Sequence, residues 1–145
     1  MSPIRPASAS DLPAITHVRT SVRENHLSIE GMAALGITKE GVAADLANGD
    51  LGCWVAEEGG AIVAFSMADR RDGQIFALFT QPGHEGAGHG TRLLATACRW
   101  LKERGWSGAC LSTDPGTRAD GFYASRGWRR DGFRPNGEVI YRIEL

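Results

Sequence analysis

A glycine-rich turn between an apolar run and an amphipathic helix pattern constrains the fold of this chain more than any other feature. The run Gln74–Thr80 is typical of a buried strand, and apolar residues repeat at helical spacing from Leu93 onward. Between them, Gly86, Gly88 and Gly90 carry no side chains that would keep a ligand from the backbone. Because the first N–H groups of a helix lack partners within it, this order predicts a site for phosphate or pyrophosphate. The glycines alone fit a flexible turn equally well.

Two known phosphate motifs do not fit this turn. A P-loop requires Lys and then Ser or Thr after its last glycine, whereas His89 and Gly90 follow Gly88 here. A dinucleotide-binding fingerprint requires a third glycine at the position of Thr91, and it normally opens its domain. More than half of the chain precedes this turn. Both motifs are therefore excluded.

Three stretches of the chain together resemble one known family. In the turn, the matching residues are Pro82, Glu85, Gly88 and Gly90, followed by Leu93 and Leu94. The second stretch is Ala119-x-x-Phe122-Tyr123-x-x-x-Gly127-Trp128, and the third is Ile4-Arg5-Pro6-Ala7 with Asp11-Leu12. In this order they resemble the GNAT superfamily of N-acyltransferases, whose acyl-CoA pyrophosphate loop is usually written Gln/Arg-x-x-Gly-x-Gly/Ala. The resemblance spans essentially the whole chain.

The resemblance implies an N-acetyltransferase that takes acetyl-CoA as co-substrate, needs no metal and transfers the acetyl group to an amine. A backbone N–H near the end of the fourth strand would polarise the thioester carbonyl. Tyr123 lies where the family commonly carries its general acid and would protonate the leaving thiolate; the alternative is a core aromatic residue. The residues that the resemblance assigns to acetyl-CoA are Leu78, Phe79, Thr80, Glu85, Gly86, Ala87, Gly88, His89, Gly90, Thr91 and Arg118.

Two positions around the CoA site depart from the family pattern. Glu85 stands where Gln or Arg is usual, and a carboxylate near a pyrophosphate is unfavourable unless it points away. Gly116 stands where many relatives carry Asn, so a side-chain contact to the CoA arm is missing. Arg118 or Thr117 would have to replace that contact.

The same resemblance places the acceptor side of the site after the first helix. The fourth strand carries no acidic residue to act as a general base, which leaves Asp69, Glu24, a chain of water molecules, or an amine that arrives already neutral. Glu24 and His26 follow the apolar stripe from Ile15 to Val22 and lie off its buried face. There Glu24 would hold a cationic amine, and a neutral His26 would accept its proton. The alternative is a solvated polar helix end.

Composition narrows the class of protein further. Residues 1–145 are expected to form a single GNAT-like domain. A formal net charge of −1 gives no reason to expect nucleic acid or an anionic membrane as a partner. Three cysteines without CxxC spacing, and no signal-peptide pattern, favour a cytoplasmic protein with reduced thiols. The expected partner is a small-molecule or peptide amine, and a homodimer is left open.

Strand and helix patterns alternate along the chain and predict an α/β (α+β) fold with a mixed, mostly antiparallel sheet flanked by helices. The predicted strands are Ile4–Ala7, Leu51–Glu57, Ala61–Ala68, Gln74–Thr80, Ala109–Thr113 and a closing hairpin of Trp128–Phe133 with Val139–Leu145. The predicted helices are one capped by Ser10, Thr38–Ala47, one after the glycine turn, and Ala119–Arg126. The resemblance places the CoA arm where the sheet splays after the fourth strand. A non-catalytic acyl-CoA sensor and a binding protein for another phosphate ligand are the alternatives.

Overall fold

A computed structural model describes residues 4–22 and 38–145 of the chain. Within these ranges the strands are β1 (Ile4–Pro6), β2 (Leu51–Glu58), β3 (Ala61–Asp69), β4 (Gln74–Thr80), β5 (Gly108–Thr113), β6 (Arg129–Phe133) and β7 (Val139–Glu144). The helices are α1 (Leu12–Ser21), α2 (Lys39–Asn48), α3 (His89–Glu103) and α4 (Arg118–Ser125), with a 3-10 turn (Ala9–Asp11) before α1. Where both ends of an element were predicted from the sequence, they agree to within one residue.

The described strands form one mixed sheet in the order β1-β2-β3-β4-β5-β7-β6. Every neighbouring pair is antiparallel except β4 and β5, which run parallel and are joined through α3. The predicted fold class is therefore confirmed. The closing hairpin turns so that β7 lies against β5, and β6 forms the edge of the sheet.

Strands β4 and β5 are paired only near the start of β4. Gln74 stands opposite Cys110, and the N–H of Cys110 donates to the carbonyl of Gly73 at 3.1 Å. Beyond this point the two strands share no further ladder pair among the described residues. The sheet consequently opens into a gap toward Thr80 and Thr113, as the family resemblance implies.

Helices cover both faces of the sheet and bury one apolar cluster on each. On one face α3 and α4 pack over the strands, where Leu93 and Leu101 are fully buried. On the other face Val18 of α1 packs with Phe65 and Phe79. Because side chains alternate along a strand, β4 contributes to both clusters. The gap at the end of β4 thus lies between the α3/α4 layer and the α1 layer.

Capping contacts mark where the 3-10 turn before α1 and helix α2 begin. The prediction of Ser10 as a helix cap is wrong, because Ser10 lies inside the 3-10 turn. The carboxylate of Asp11, which is paired with Arg5 at 2.9 Å, instead accepts the N–H of Ser8 at 2.8 Å. Helix α2 begins after Thr38, whose Oγ1 accepts a backbone N–H of the first turn at 3.1 Å.

The cysteines are small, partly or fully buried thiols without disulfide partners. Burial raises the pKa of Cys53 to about 12 and that of Cys98 to about 11, so both stay protonated at neutral pH. Across residues 4–22 and 38–145, no three His, Cys, Asp or Glu side chains are grouped as they would be around a metal ion. In the same part of the chain, none of the helices has the length and apolar character that a membrane span requires.

Candidate active site

A cleft of about 880 Å³ occupies the gap between β4 and β5. Strand β4, the glycine turn and the start of α3 form one side, and α4 with the end of β5 forms the other. The end of α1 and the residue before β7 complete the rim. A cleft of this volume is in the range that proteins use for small-molecule and cofactor ligands.

Gly86 and Gly88 hold the turn in a backbone shape that favours glycine. Both have a φ of 83°, and the position of an added Cβ is surrounded by open space, so conformation rather than packing requires glycine here. Gly88 is the N-cap of α3, and the first bond to it comes from the N–H of Arg92 at 3.2 Å. The N–H groups from His89 to Thr91 therefore have no acceptor within the helix. With the positive end of the helix dipole, they form a site suited to pyrophosphate.

The carboxylate of Glu85, which departs from the family pattern, is turned onto its own loop. Its Oε1 accepts the N–H of Gly83 at 2.7 Å. Hydrogen bonds from its own N–H and from that of Gly83 lower the pKa of Glu85, and the charge of Arg118 lowers it further. Backbone donors and a nearby cation thus compensate the negative charge, while the N–H groups of α3 are left for a ligand.

A contact that sequence reasoning missed fastens the turn to the sheet. Glu58 ends β2, and its Oε2 lies 2.8 Å from Nε2 of His89 and 3.2 Å from Nδ1 of His84. Arg92 donates from Nη2 to Nδ1 of His89 at 2.9 Å, and a guanidinium can only donate. Nδ1 of His89 is therefore an acceptor, and its Nε2–H donates to Glu58. The contacts with His89 and His84 lower the pKa of Glu58, which stays a carboxylate.

Two backbone N–H groups of β4 point into the gap. The N–H of Gln81 donates to the carbonyl of Val63 on β3 at 2.7 Å. In an antiparallel pair only every second residue directs its N–H to the neighbouring strand, so the register of β3 and β4 sets which N–H groups of β4 face β3. By this alternation, the N–H groups of Leu78 and Thr80 point away from β3, toward the side from which β5 has separated. Donors at this edge can stabilise negative charge on a carbonyl oxygen in the gap.

Tyr123 lines the cleft from α4, with 5% of its surface exposed. Its ring is held by the rings of Phe122, Trp128 and Tyr141 at centroid distances of 5.4, 5.9 and 5.8 Å. Burial raises the pKa of Tyr123 above that of an ordinary phenol, so the hydroxyl is protonated at neutral pH. No residue in the described part of the chain hydrogen-bonds to this hydroxyl, which is therefore available to a group in the cleft.

A polar network around Asp120 fixes the segment that leads into α4. The Asp120 carboxylate accepts hydrogen bonds from the hydroxyl of Tyr141, from the N–H of Gly116 at 2.9 Å and from Arg130 at 2.6 Å. The bonds from Tyr141, Gly116 and Arg130 lower the pKa of Asp120 to about 2. Gly116, one of the two positions that depart from the family pattern, thus contacts a buried carboxylate through its backbone.

The two side chains that could replace the Asn contact lie in different places. The Oγ1 of Thr117 accepts the N–H of Asp120 at 3.3 Å and donates to the carbonyl of Asp114 at 2.8 Å, which makes it the cap of α4. Arg118 lines the cleft, and its charge acts on Glu85. Of the two, Arg118 is the one that lines the cleft.

Of the residues predicted for the acceptor side, the structure describes Asp69 but not Glu24 or His26. Glu24 and His26 lie outside the described residues, so their roles stay predictions. Asp69 lies opposite Gln74, at the end of the sheet remote from the gap, and is paired with Arg71 at 2.9 Å. It is not among the residues that line the cleft. Asp69 is therefore removed from the candidates for a general base.

The structure brings most of the predicted CoA-side residues together. Those lining the cleft are Leu78, Phe79, Thr80, Glu85, Gly86, Gly88, His89, Gly90, Thr91, Arg118 and Tyr123. Ala87 is exposed and is not among the lining residues. The imidazole of His89 is occupied by Glu58 and Arg92, so its contribution to a ligand would come from its backbone N–H.

A helix N-terminus beside a splayed sheet is the arrangement that the family resemblance implies. The model of the Acetyltransferase (GNAT) family matches residues 17–128, which is most of the chain. The chain therefore belongs to the GNAT acetyltransferase family, as its motifs indicate.

Similar proteins agree with this assignment. The mycothiol acetyltransferase of Streptomyces bingchenggensis is 35% identical over 98 residues, which cover 64% of this chain and 30% of that protein. An uncharacterised N-acetyltransferase of Mycobacterium tuberculosis is 35% identical over 95 residues, 61% of this chain and 56% of that protein. The chain thus matches about half or less of these relatives. The PaiA N-acetyltransferase of Thermoplasma acidophilum, solved with coenzyme A, has the same fold, with a TM-score of 0.83, 17% identity and coverage of 100% of this chain and 99% of that one.

Proposed function

We propose that this chain is an N-acetyltransferase that transfers the acetyl group of acetyl-CoA to an amine. One observation carries the proposal: three kinds of group that the reaction needs border a single cleft. The N–H groups at the start of α3 suit a pyrophosphate, those of Leu78 and Thr80 suit a thioester carbonyl, and the Tyr123 hydroxyl suits a leaving thiolate. Acetyl-CoA would act as co-substrate, and the reaction as proposed needs no metal.

In the proposed reaction, a neutral amine attacks the thioester carbonyl directly. Negative charge develops on the carbonyl oxygen, and the N–H groups of Leu78 and Thr80 stabilise it. As the carbon–sulfur bond breaks, Tyr123 passes its proton to the CoA thiolate and regains one from solvent. The nitrogen releases its extra proton to solvent, which balances the proton that Tyr123 regains, so a neutral amine and acetyl-CoA give an amide and free CoA thiol. Because burial raises the pKa of Tyr123, the proton stays on the phenol until charge accumulates on sulfur.

The acceptor in this proposal is a small-molecule or peptide amine. We keep Glu24 and His26 as the groups proposed to hold the amine and receive its proton at the mouth of the cleft. Residues 1–145 would form one catalytic domain that works in the cytoplasm, without nucleic acid or membrane as partner. Acetyl-CoA would enter from the α3/α4 side, where the glycine turn and Arg118 line the cleft.

The test mixes the protein with acetyl-CoA and a panel of amines: alanine amide, alanine, spermidine and kanamycin. Free CoA thiol is followed in solution, and acetylated amine is identified by mass spectrometry. We expect thiol release to equal product formation for at least one amine, and both to fall in Tyr123→Phe. Calorimetric binding of acetyl-CoA without acetylation of any amine would overturn the proposal in favour of a non-catalytic acyl-CoA sensor.

A further inference from the structure

The α1 side of the cleft carries a pair of opposite charges that the proposed acetyl-CoA chemistry does not use. Near the end of α1, the guanidinium of Arg19 lies 4.1 Å from the ring centroid of Phe79 on β4. Glu138 precedes β7 and lies beside Ser112 on β5. Both charged side chains line the cleft, one beside each of the two separated strands.

Strand alternation puts this pair on the face of the sheet opposite Tyr123. Phe79 packs in the cluster under α1, whereas Tyr123 packs in the cluster under α3 and α4. The side chain of Ser112 lies between two buried neighbours on β5 that face α3 and α4, so it points toward the α1 face. A CoA arm from one face and an acceptor from the other would therefore meet in the gap between β4 and β5.

One oxygen of the Glu138 carboxylate accepts hydrogen bonds from neighbouring residues, and the other can accept one from a ligand. Its Oε1 accepts hydrogen bonds from Asn136 at 2.8 Å and from Ser112 at 3.4 Å. In the described part of the chain, no residue donates to its Oε2. Arg134, on the same hairpin, directs its Nε to Ser112 at 2.8 Å. A carboxylate fixed in this way at the rim of a cleft is suited to bind an ammonium group through a charge-assisted hydrogen bond.

Arg19 supplies the opposite charge on the facing wall. Burial lowers the pKa of Arg19, while the negative charge of Glu138 acts to raise it. The guanidinium nevertheless stays positive at neutral pH, since its ordinary pKa exceeds 12. Two positive charges repel more strongly in a partly desolvated cleft than in water. An acceptor with a second ammonium group would therefore be opposed by Arg19.

We propose that Glu138 binds the ammonium group of the acceptor and that Arg19 restricts acceptors to amines with a single positive charge. This inference rests on the proposed N-acetyltransferase function and narrows its substrate class. Amino acids and peptide amino termini meet the requirement, whereas polyamines and aminoglycosides do not.

The test compares Glu138→Gln with Glu144→Gln, an identical change at an exposed position of the same hairpin, on β7. Gln keeps an oxygen for Asn136 and Ser112, so both variants should melt like the parent. We expect the KM for alanine amide to rise about 10- to 100-fold in Glu138→Gln only, with the KM for acetyl-CoA unchanged. In Arg19→Gln, the preference for alanine amide over spermidine, expected to be about tenfold in the parent, should shrink. An unchanged KM in Glu138→Gln, or a parent that prefers spermidine, would overturn the inference.

A binding measurement separates failure of this inference from failure of the proposed function. Alanine amide is titrated by calorimetry into parent protein and Glu138→Gln, each saturated with CoA. If alanine amide binds the parent and binds Glu138→Gln more weakly, the acceptor site is supported, even if no amine is acetylated and the proposed reaction fails. Absence of binding to the parent, or equal binding to both proteins, overturns the acceptor site.

Discussion

His89 donates its Nε2–H to Glu58 across 2.8 Å and so joins the first residue of α3 to the last residue of β2. Only 3% of the His89 surface is exposed, so this donor cannot turn to water instead. The contact fixes the end of the glycine turn relative to the sheet. The N–H groups of α3 are therefore presented in one arrangement before a ligand binds, which reduces the entropic cost of binding.

Glu58→Ala should weaken the fold and the binding of acetyl-CoA together. The change leaves the buried N–H of His89 without an acceptor, which costs about 1–3 kcal/mol of stability and lowers Tm by several degrees. Looser anchoring of the turn should also raise the Kd for acetyl-CoA. Thermal melting and calorimetry measure the two effects, with Glu103→Ala at the exposed end of α3 as the matched control. A Glu58→Ala protein that melts and binds like the parent would contradict the anchoring role.

Gly88→Asp should abolish acetyl-CoA binding. The carboxylate would lie at the helix terminus where the pyrophosphate binds, so bulk and charge both oppose the ligand. The fold should survive, because Gly88 lies in an exposed turn. Gly88→Asn is the control, since Asn has nearly the same shape and tolerates a positive φ without adding charge. Calorimetry should rank the affinities as parent, then Gly88→Asn, then Gly88→Asp; equal affinities would rule out the turn as the pyrophosphate site.

Tyr123→Phe should lower kcat by about 10²- to 10⁴-fold and leave the affinity for acetyl-CoA nearly unchanged, because it removes only the proton donor. Since burial raises the pKa of Tyr123, kcat in the parent should show no alkaline decline from this group below about pH 10. Tyr141→Phe removes a hydroxyl that binds Asp120, so it should lower Tm far more than kcat. A loss of less than about threefold in kcat for Tyr123→Phe would make that residue structural.

Asp120 should give the fold an acid-sensitive contribution. Its pKa is lowered to about 2 in the folded state, below the ordinary value of about 3.9. The stabilisation is therefore complete above about pH 4 and is lost as the pH falls from about 4 to 2. Asp120→Asn should be less stable at pH 7 and should show a smaller loss of stability across that acid window. Urea unfolding at a series of pH values tests this, and an identical pH dependence in both proteins would contradict it.

Glu24→Gln should raise the KM for the amine and leave the KM for acetyl-CoA unchanged. His26→Ala should in addition remove a limb of kcat/KM on the acidic side, because an imidazole with a pKa near ~6.5 accepts protons only above that pH. Steady-state kinetics with the best acceptor from about pH 6 to 9 measure both effects. Two variants that match the parent throughout would show that this segment has no role in the reaction.

The parts of the structure that depend on local sequence could be predicted. Gly86 and Gly88 are predicted as part of the phosphate site because they lie between a strand pattern and a helix pattern and leave the backbone open to a ligand; in the structure both also have a positive φ. Strand β4 was correctly bounded because its apolar run ends at polar turn residues. The prediction of Ser10 as a cap is wrong, because Ser10 lies inside a 3-10 turn in which Asp11 binds the N–H of Ser8.

The remaining features of the site depend on contacts between distant parts of the chain. Glu58 and His89 are 31 residues apart, and neither has a neighbour in sequence that marks the pairing. The local sequence does not distinguish Glu138 from the other polar residues of its hairpin. Only the register that pairs Val139 with Thr113 brings it to the gap. No single-sequence pattern encodes that register.

The central claim is tested most directly by following an isotope-labelled acetyl group from acetyl-CoA in the presence of alanine amide. The account predicts that label appears on the amine nitrogen in step with free CoA thiol, and that Tyr123→Phe slows both by the same factor. Label that stays on CoA, or that is released as acetate at a rate independent of the amine, would contradict it.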